Sequence, residues 1–482
     1  MAGTFIKAFL FLSMMLIIEF SYAQNGHYWT QQYGTKSMLL SGSAIGGVSD
    51  LGAIYYNPAR LSQIDNPAFL LSADVFEYSS LNITNAFGDS KNTSKSNFGS
   101  VPSLAAGSFK LPFLKGHSFG WAILQRFNSD NSFTFKEEVE DEIFADSPGE
   151  EYFNADLAIV NNLKEQWTGL SWSYPINEKF SIGASTFLSV INQGKGNFID
   201  LQVLTSNNET AIYRFNKSFS LTHYNLIFKA GLSYKIKEAT VGVTFLVPPV
   251  KLSGDGSYQY EEFLAGVEGI TESPDVYATS FQDNLNTNFK SPMAIGAGIT
   301  LPWKRSFIHL SGEYYGKVNE YEIISATPHS VQSNSDSVRL FTLVDNLKSV
   351  VNYGIGLEIY VSPKVFAYSS FSVDHSAAGG NLSSFASLEA KVTSSSITAD
   401  YYHFGGGVVL TLKGADITVG GTYTGSKQKF DRPFNFPDDN DDKFFNSGEQ
   451  ATLRWNRWRF VFSFSLPFLK EKTKKIEENL GL

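Results

Sequence analysis

One supersecondary unit occurs six times along the chain: an alternating strand, a short polar or proline turn, and a second alternating strand. The copies span 103–124, 167–188, 226–247, 293–314, 353–373 and 403–423, with turns centred near 115, 177, 237, 304, 363 and 414. Ile295, Ala297, Ile299 and Leu301 share one face, while Ala294, Gly296, Gly298 and Thr300 share the other. Val241, Val243, Phe245 and Val247 likewise oppose Thr240, Gly242, Thr244 and Leu246. A period of two is strand patterning. One further strand at 67–82 and another at 451–468 bring the expected total to about 14.

The connections also alternate in length. Short turns separate the two strands of each unit, and long polar stretches near 83–102, 127–165, 191–222, 251–290, 317–348, 375–400 and 425–449 separate the units. Bacterial single-chain barrels have an even strand number, short periplasmic turns and long outer loops. The last strand adds a row of Phe460, Phe462, Phe464, Leu466 and Phe468 opposite Val461, Ser463 and Ser465. Such a row facing water is an aggregation hazard, and in lipid it is solvated. The expected fold class is therefore all-β, a transmembrane antiparallel β-barrel.

The two ends fit export. Lys7, the apolar run Ala8–Ile18 and the small residues Ser21 and Ala23 read as a signal peptide over 1–23, with cleavage before Gln24. That run is too short to span a bilayer as a helix, which takes ~20 residues. Only helices and closed barrels satisfy their backbone in lipid, so the alternatives are a barrel or a soluble exported protein. Cysteine is absent, which excludes disulfides and thiolate metal sites. A net charge of −9 argues against nucleic acid as a partner. The 41 Phe, 23 Tyr and 40 Gly residues suit aromatic girdles and closely packed strands.

One stretch breaks the β pattern: Leu39–Ser62, rich in small residues and ending on Asn57-Pro58-Ala59. Asn caps helices and Pro suits a first helical position, so 57–64 reads as a short helix start. Gly46 and Gly47 permit tight packing or a sharp bend. A compact segment of this kind fits a plug inside the barrel.

With Gly42-Ser43-Ala44, Gly46-Gly47, Asp50 and Asn57-Pro58-Ala59-Arg60-Leu61 near the mature amino end, the chain resembles the FadL-type long-chain fatty acid transporters of bacterial outer membranes. The resemblance implies a hatch over 24–66, with Gly46, Gly47, Asn57, Pro58 and Ala59 as its motif. It further implies a barrel over 67–468 and passive import of hydrophobic compounds past a rearranging hatch with lateral exit through the wall; the chain departs from that family's pattern by running on past Phe468 into a charged tail over 469–482. The implied partners are a hydrophobic small molecule, outer-membrane lipids and the barrel assembly machinery, with no cofactor and no catalysis. Arg60 stands where that family commonly has Gly.

The residues give their own case for apolar cargo. A plugged barrel leaves little water path, and Leu51, Ile54, Tyr55, Tyr56 and Leu61 offer apolar lining. Burying an acyl chain there is favourable by ~0.8 kcal/mol per methylene. An acidic head group wants a cation, for which Lys229, Arg60 and Arg126 are candidates; charge balance with Glu313 and Glu358 is the plainer role for each. Asp374-His375-Ser376 is no triad, because triad members meet in space and not along consecutive positions. His309 and His403 are scattered lumenal histidines. The loop Asp438–Asp442 with Glu449 has Ca²⁺-loop spacing, but Lys443 stands where the turn needs Gly. The rival function on the same fold is a protein-binding or secretion accessory.

Overall fold

The computed structural model describes residues 26–64, 74–100, 103–141, 149–266, 274–379, 391–393, 397–412, 415–432 and 449–465. The expected signal peptide, the charged tail, the acidic loop 438–442, and the side chains of Phe464, Leu466 and Phe468 lie outside them.

The chain enters through two 3₁₀ turns, Ser37–Leu40 and Pro58–Gln63, flanking a single α-turn, Ala53–Tyr56. Strands β1 (Asp74–Thr84), β2 (Thr93–Ser100), β3 (Leu104–Phe109), β4 (Ser118–Asp130) and β5 (Phe133–Asp141) follow. Then come four long strands: β6 (Glu151–Pro175), β7 (Phe180–Leu204), β8 (Thr210–Ile236) and β9 (Ala239–Ala265). Next are β10 (Val276–Asn286), β11 (Ala294–Trp303) and β12 (Ser306–Tyr315), and the short β13 (Val318–Ser325), β14 (His329–Val331), β15 (Asn334–Arg339) and β16 (Thr342–Leu347). The series ends with β17 (Val350–Ser362), β18 (Val365–Asp374), β19 (Lys391–Thr393), β20 (Tyr401–Leu412), β21 (Ala415–Asp431) and β22 (Gln450–Ser465).

Seventeen of these segments form one sheet among the described residues, and all its pairings are antiparallel. Its first and last strands pair with each other, β1 on β22 from Asp74↔Phe462 to Thr84↔Thr452. The segments exceed the expected fourteen because strand positions are interrupted. β4 and β5 lie end to end along β6, and β10 and β11 lie end to end along β9. β2 pairs with β1 whereas β3 pairs with β4.

Alternation sorts the side chains as the sequence leads one to expect. On β7, Ser181, Gly183, Ser185, Phe187, Ser189 and Ile191 face inward, and Phe180, Ile182, Ala184, Leu188 and Val190 face outward. From Phe180 to Val190 is roughly 33 Å of strand at ~3.3 Å per residue. Tilted by ~40°, that spans about 25 Å, the height of the lipid-facing band of a transmembrane barrel. Phe460 and Phe462 are about half exposed on the outward face, opposite buried Val461 and Ser463. No helix among the described residues is long and apolar enough to cross a membrane.

The stretches expected as long polar loops at 127–165, 191–222 and 251–290 are largely strand instead. Beyond Val190 the outward side of β7 turns polar through Asn192, Asp200 and Gln202, which gives the stretch its loop-like composition. Its inward side mixes buried Gln193, Lys195 and Asn197 with apolar Ile191, Ile199 and Val203. Phe153, Leu157, Ile199, Phe215, Phe219, Tyr258 and Tyr260 join Tyr321, Ile323, Phe341 and Leu343 in one buried cluster. β13 and β16, with β19, form the small second sheet whose residues help fill this upper space.

Candidate ligand-binding site

The hatch segment is buried against the inward face of the sheet, and glycines of the wall make room for it. A Cβ on Gly183 would stand 2.5 Å from Pro58 C, and one on Gly231 would stand 2.3 Å from Asn57 Oδ1. A Cβ on Gly242 would meet Ile45 O at 2.2 Å, and one on Gly298 would meet Gly46 N at 2.7 Å. Gly46 and Gly47 complete the fit from the other side, where a Cβ would strike Ile299 N and Thr300 Oγ1. Small residues on both partners thus bring backbone against backbone.

Asn57 ties this notch together. Its Oδ1 accepts from Ala59 N (3.2 Å), capping the 3₁₀ turn that Pro58 begins, and its Nδ2 donates to Ile45 O (3.0 Å) and Leu232 O (3.0 Å). Wall serines bind the hatch backbone: Ser173 and Ser181 donate to Ala59 O (2.9 Å each), Ser185 to Ile54 O (2.8 Å) and Ser370 to Leu39 O (2.7 Å). Asp50 knits the hatch to itself, accepting from the backbone N–H groups of Thr35, Lys36, Ser37 and Gly52 and from Ser37 Oγ. The amino end is held differently. Asp374, the acid of the sequence's Asp-His-Ser run, accepts from the N–H groups of Tyr28 (3.0 Å) and Trp29 (2.9 Å).

Above the hatch a pocket opens between it and the wall. Tyr28 and Tyr55 contribute from the hatch, with Arg126, Trp167, Ile227, Lys229, Leu246, Glu313 and Tyr315 from the strands. The cavity volume is ≈ 20 Å³, about the space one water molecule needs. Lys229 Nζ lies 3.7 Å from Glu313 Oε1 and 4.9 Å from the Tyr55 ring centroid. Arg126 is 3% exposed, its guanidinium 4.5 Å from the Phe127 ring and 5.7 Å from that of Trp167. Its Nε and Nη1 meet no hydrogen-bond partner among the described residues. Burial lifts the Tyr55 phenol to about 12, so it remains a neutral donor.

Of the residues expected to bind ligand, Tyr55 and Lys229 line this pocket. Leu51, Ile54, Tyr56 and Leu61 belong to the apolar core that seats the hatch. Arg60 points elsewhere: its Nε donates to Val48 O (3.3 Å) and its Nη1 to Gln63 Oε1, and burial lowers its pKa to about 10. Trp167, Tyr28 and Tyr315 were not legible as lining residues, because nothing local in sequence links them. His309 and His403 face inward as alternation predicts, His309 beside Glu358 (3.5 Å) and His403 beside Asp374 (3.8 Å).

A second, polar cavity of ≈ 250 Å³ lies between β1, β2 and β4, where no backbone ladder joins β2 to β4 or β5 among the described residues. Glu77, Asn97, Asn128, Lys164 and Arg457 line it, together with His27 and Thr30 of the hatch. The seam is crossed by the ion pairs Lys95–Asp130 (2.7 Å) and Lys91–Glu137 (2.7 Å).

No protein-family model matches the chain, and no curated protein matches it by sequence. Solved structures do match. The toluene transporter TodX of P. putida aligns with a TM-score of 0.53 at 11% identity, over 91% of this chain and 99% of that one. The CymD monoaromatic hydrocarbon channel aligns with a TM-score of 0.50 at 11% identity, over 91% and 98%. A Pseudomonas aeruginosa FadL homologue aligns over 92% and 100%, at 11% identity and a TM-score of 0.49. The chain shares the fold of TodX and CymD, as its strand pattern leads one to expect.

Proposed function

We propose that the protein carries hydrophobic or amphiphilic small molecules, fatty-acid-like in class, across the outer membrane by passive, hatch-gated diffusion. The observation that carries this reading is the pocket between Tyr55 and the wall, apolar and aromatic in lining with the buried guanidinium of Arg126 turned into it. An acyl chain is stabilised by the lining, and a carboxylate supplies the partner that Arg126 Nε and Nη1 lack. At ≈ 20 Å³ the pocket admits no such molecule with the hatch seated, so the cycle includes hatch movement. The seam between β2 and β4, laced by side chains instead of a ladder, is the natural place for a lateral path through the wall. The hatch motif Gly46, Gly47, Asn57, Pro58 and Ala59 acts as the seat, with Leu51, Ile54, Tyr56 and Leu61 as its apolar backing. Export through the signal peptide, and insertion by the barrel assembly machinery among outer-membrane lipids, complete the reading.

The test is mass identification of what co-purifies with the detergent-solubilised protein. Stoichiometric lipid-like acids support the transporter, and a stoichiometric polypeptide supports the rival accessory role. One observation favours that rival: β6–β9 rise well beyond the lipid-facing band around a filled apolar core, which makes a rigid outer platform.

A further inference from the structure

We propose that Glu313 is the residue through which an anionic head group in the pocket releases the hatch. The inference rests on the transport reading above and specifies its regulation.

Glu313 on β12 is 6% exposed, and its two oxygens face different partners. Oε2 accepts from the Trp29 indole N–H (2.9 Å) and the Tyr315 hydroxyl (2.5 Å). Oε1 faces Lys229 Nζ at 3.7 Å. Trp29 belongs to the hatch and Lys229 to the pocket, so one carboxylate holds the hatch on one side and the pocket cation on the other. Tyr315 also stacks on Tyr28, with ring centroids 3.9 Å apart. The amino-terminal stretch 26–32, the strap of the hatch, is held by polar contacts too: Asp374 takes the N–H groups of Tyr28 and Trp29, and Arg457 donates to Thr30 O. The later half of the hatch sits in the glycine notch, where any shift drives backbone into backbone. Motion is therefore confined to the strap.

Arg126 and Lys229 are balanced by Glu313 and by the buried Glu165, which accepts from Trp167 Nε1 (2.6 Å), so a cargo carboxylate must take a cation from one of them. The arriving anion meets Arg126 first and then competes with Glu313 for the three donors of the Lys229 ammonium. As Lys229 turns to the cargo, Glu313 is left buried without its cation, a situation costlier than the loss of one indole hydrogen bond. Water relieves it, and water reaches Glu313 once the strap leaves. A neutral hydrocarbon fills the same lining and leaves the Lys229–Glu313 pair intact. Acidic amphiphiles thus open the hatch, whereas hydrocarbons only bind.

The native chain has no cysteine, so a single Gln32→Cys, at a fully buried hatch position, reports strap release through its labelling rate with a water-soluble thiol reagent. The full-length protein in lipid nanodiscs is given oleate or n-dodecane, and binding of each is measured separately by equilibrium dialysis. Oleate is expected to raise labelling at least tenfold, with dodecane bound at no change in rate. Glu313→Gln in the same background keeps a neutral acceptor for Trp29 and buries no charge, so it is expected to bind oleate, label as slowly as the parent without it and show no rise when oleate binds. Lys229→Met, a second variant should Glu313→Gln not fold, leaves Glu313 buried without its cation and is expected to label fast without oleate and respond no further. Oleate bound without faster labelling, or a Glu313→Gln protein that still responds, overturns the inference. If neither probe binds, the transport reading itself fails.

Discussion

Asn57→Ala probes the seat of the hatch most cleanly. The side chain is fully buried and makes three hydrogen bonds: the cap to Ala59 N, and two donated bonds to Ile45 O and Leu232 O. Losing an N-cap costs about 0.5–2 kcal/mol, and each lost neutral hydrogen bond costs about 0.5–1.5 kcal/mol, more where the carbonyl stays dry. The seated state should lose roughly 2–4 kcal/mol, which at 1.4 kcal/mol per tenfold raises the unseated population about thirty- to several-hundred-fold. The assay is thiol labelling of a cysteine placed at Ala44, a fully buried hatch position in a chain without other cysteines. Asn57→Asp keeps the cap acceptor but loses both donated bonds and buries a charge, so it should label at least as fast. Labelling unchanged in both variants, with the sheet intact by heat-modifiable migration, would refute the claim that Asn57 locks the notch.

Three further outcomes are expected. Gly183→Ala forces a methyl to 2.5 Å from Pro58 C and should destabilise hatch seating by about 1–3 kcal/mol, while Gly99→Ala, which meets nothing within 4 Å, should be neutral in the same melt. Arg126→Leu should weaken binding of a long-chain carboxylate at least tenfold and leave binding of a neutral hydrocarbon of equal length within about twofold, by equilibrium dialysis. Burial lowers the His27 pKa against the opposing pull of Asp374 and Asp400, so the docked strap excludes the proton that a free strap would take. Docking is then at full strength above pH ~6.5 and weakens as pH falls below it. A His27→Gln variant should flatten that part of a labelling-versus-pH curve.

The wall was legible where apolar residues outward alternate with small or polar residues inward. The turns expected near 177, 237, 304 and 363 fall between β6 and β7, β8 and β9, β11 and β12, and β17 and β18. Reading failed above the lipid-facing band, because residues such as Asn192 and Asp200 make the outward face as polar as a loop while Ile199 and Phe215 continue the inward alternation. The Asn57–Pro58 cap was legible because it is local. What Asn57, Trp29 and Tyr28 hold was not, since their wall partners Leu232, Glu313 and Asp374 lie 175, 284 and 346 residues away. Arg60 misled for the opposite reason: its partners Val48 and Gln63 are near in sequence and keep it inside the hatch.

The account comes down to a hatch that must move for cargo to pass. An ideal Cβ on Gly356 lies 3.3 Å from Leu40 Cβ, close enough for a disulfide between Leu40→Cys and Gly356→Cys. Uptake of radiolabelled oleate into proteoliposomes should proceed with this protein oxidised as well as reduced, because pinning Leu40 leaves the strap free. Joining Gly26→Cys to Ala378→Cys, whose Cβ positions at 2.9 Å must open by about 1 Å to reach disulfide geometry, should instead stop uptake on oxidation and restore it on reduction. Equal uptake by the oxidised and reduced forms of the Gly26–Ala378 pair would contradict the account.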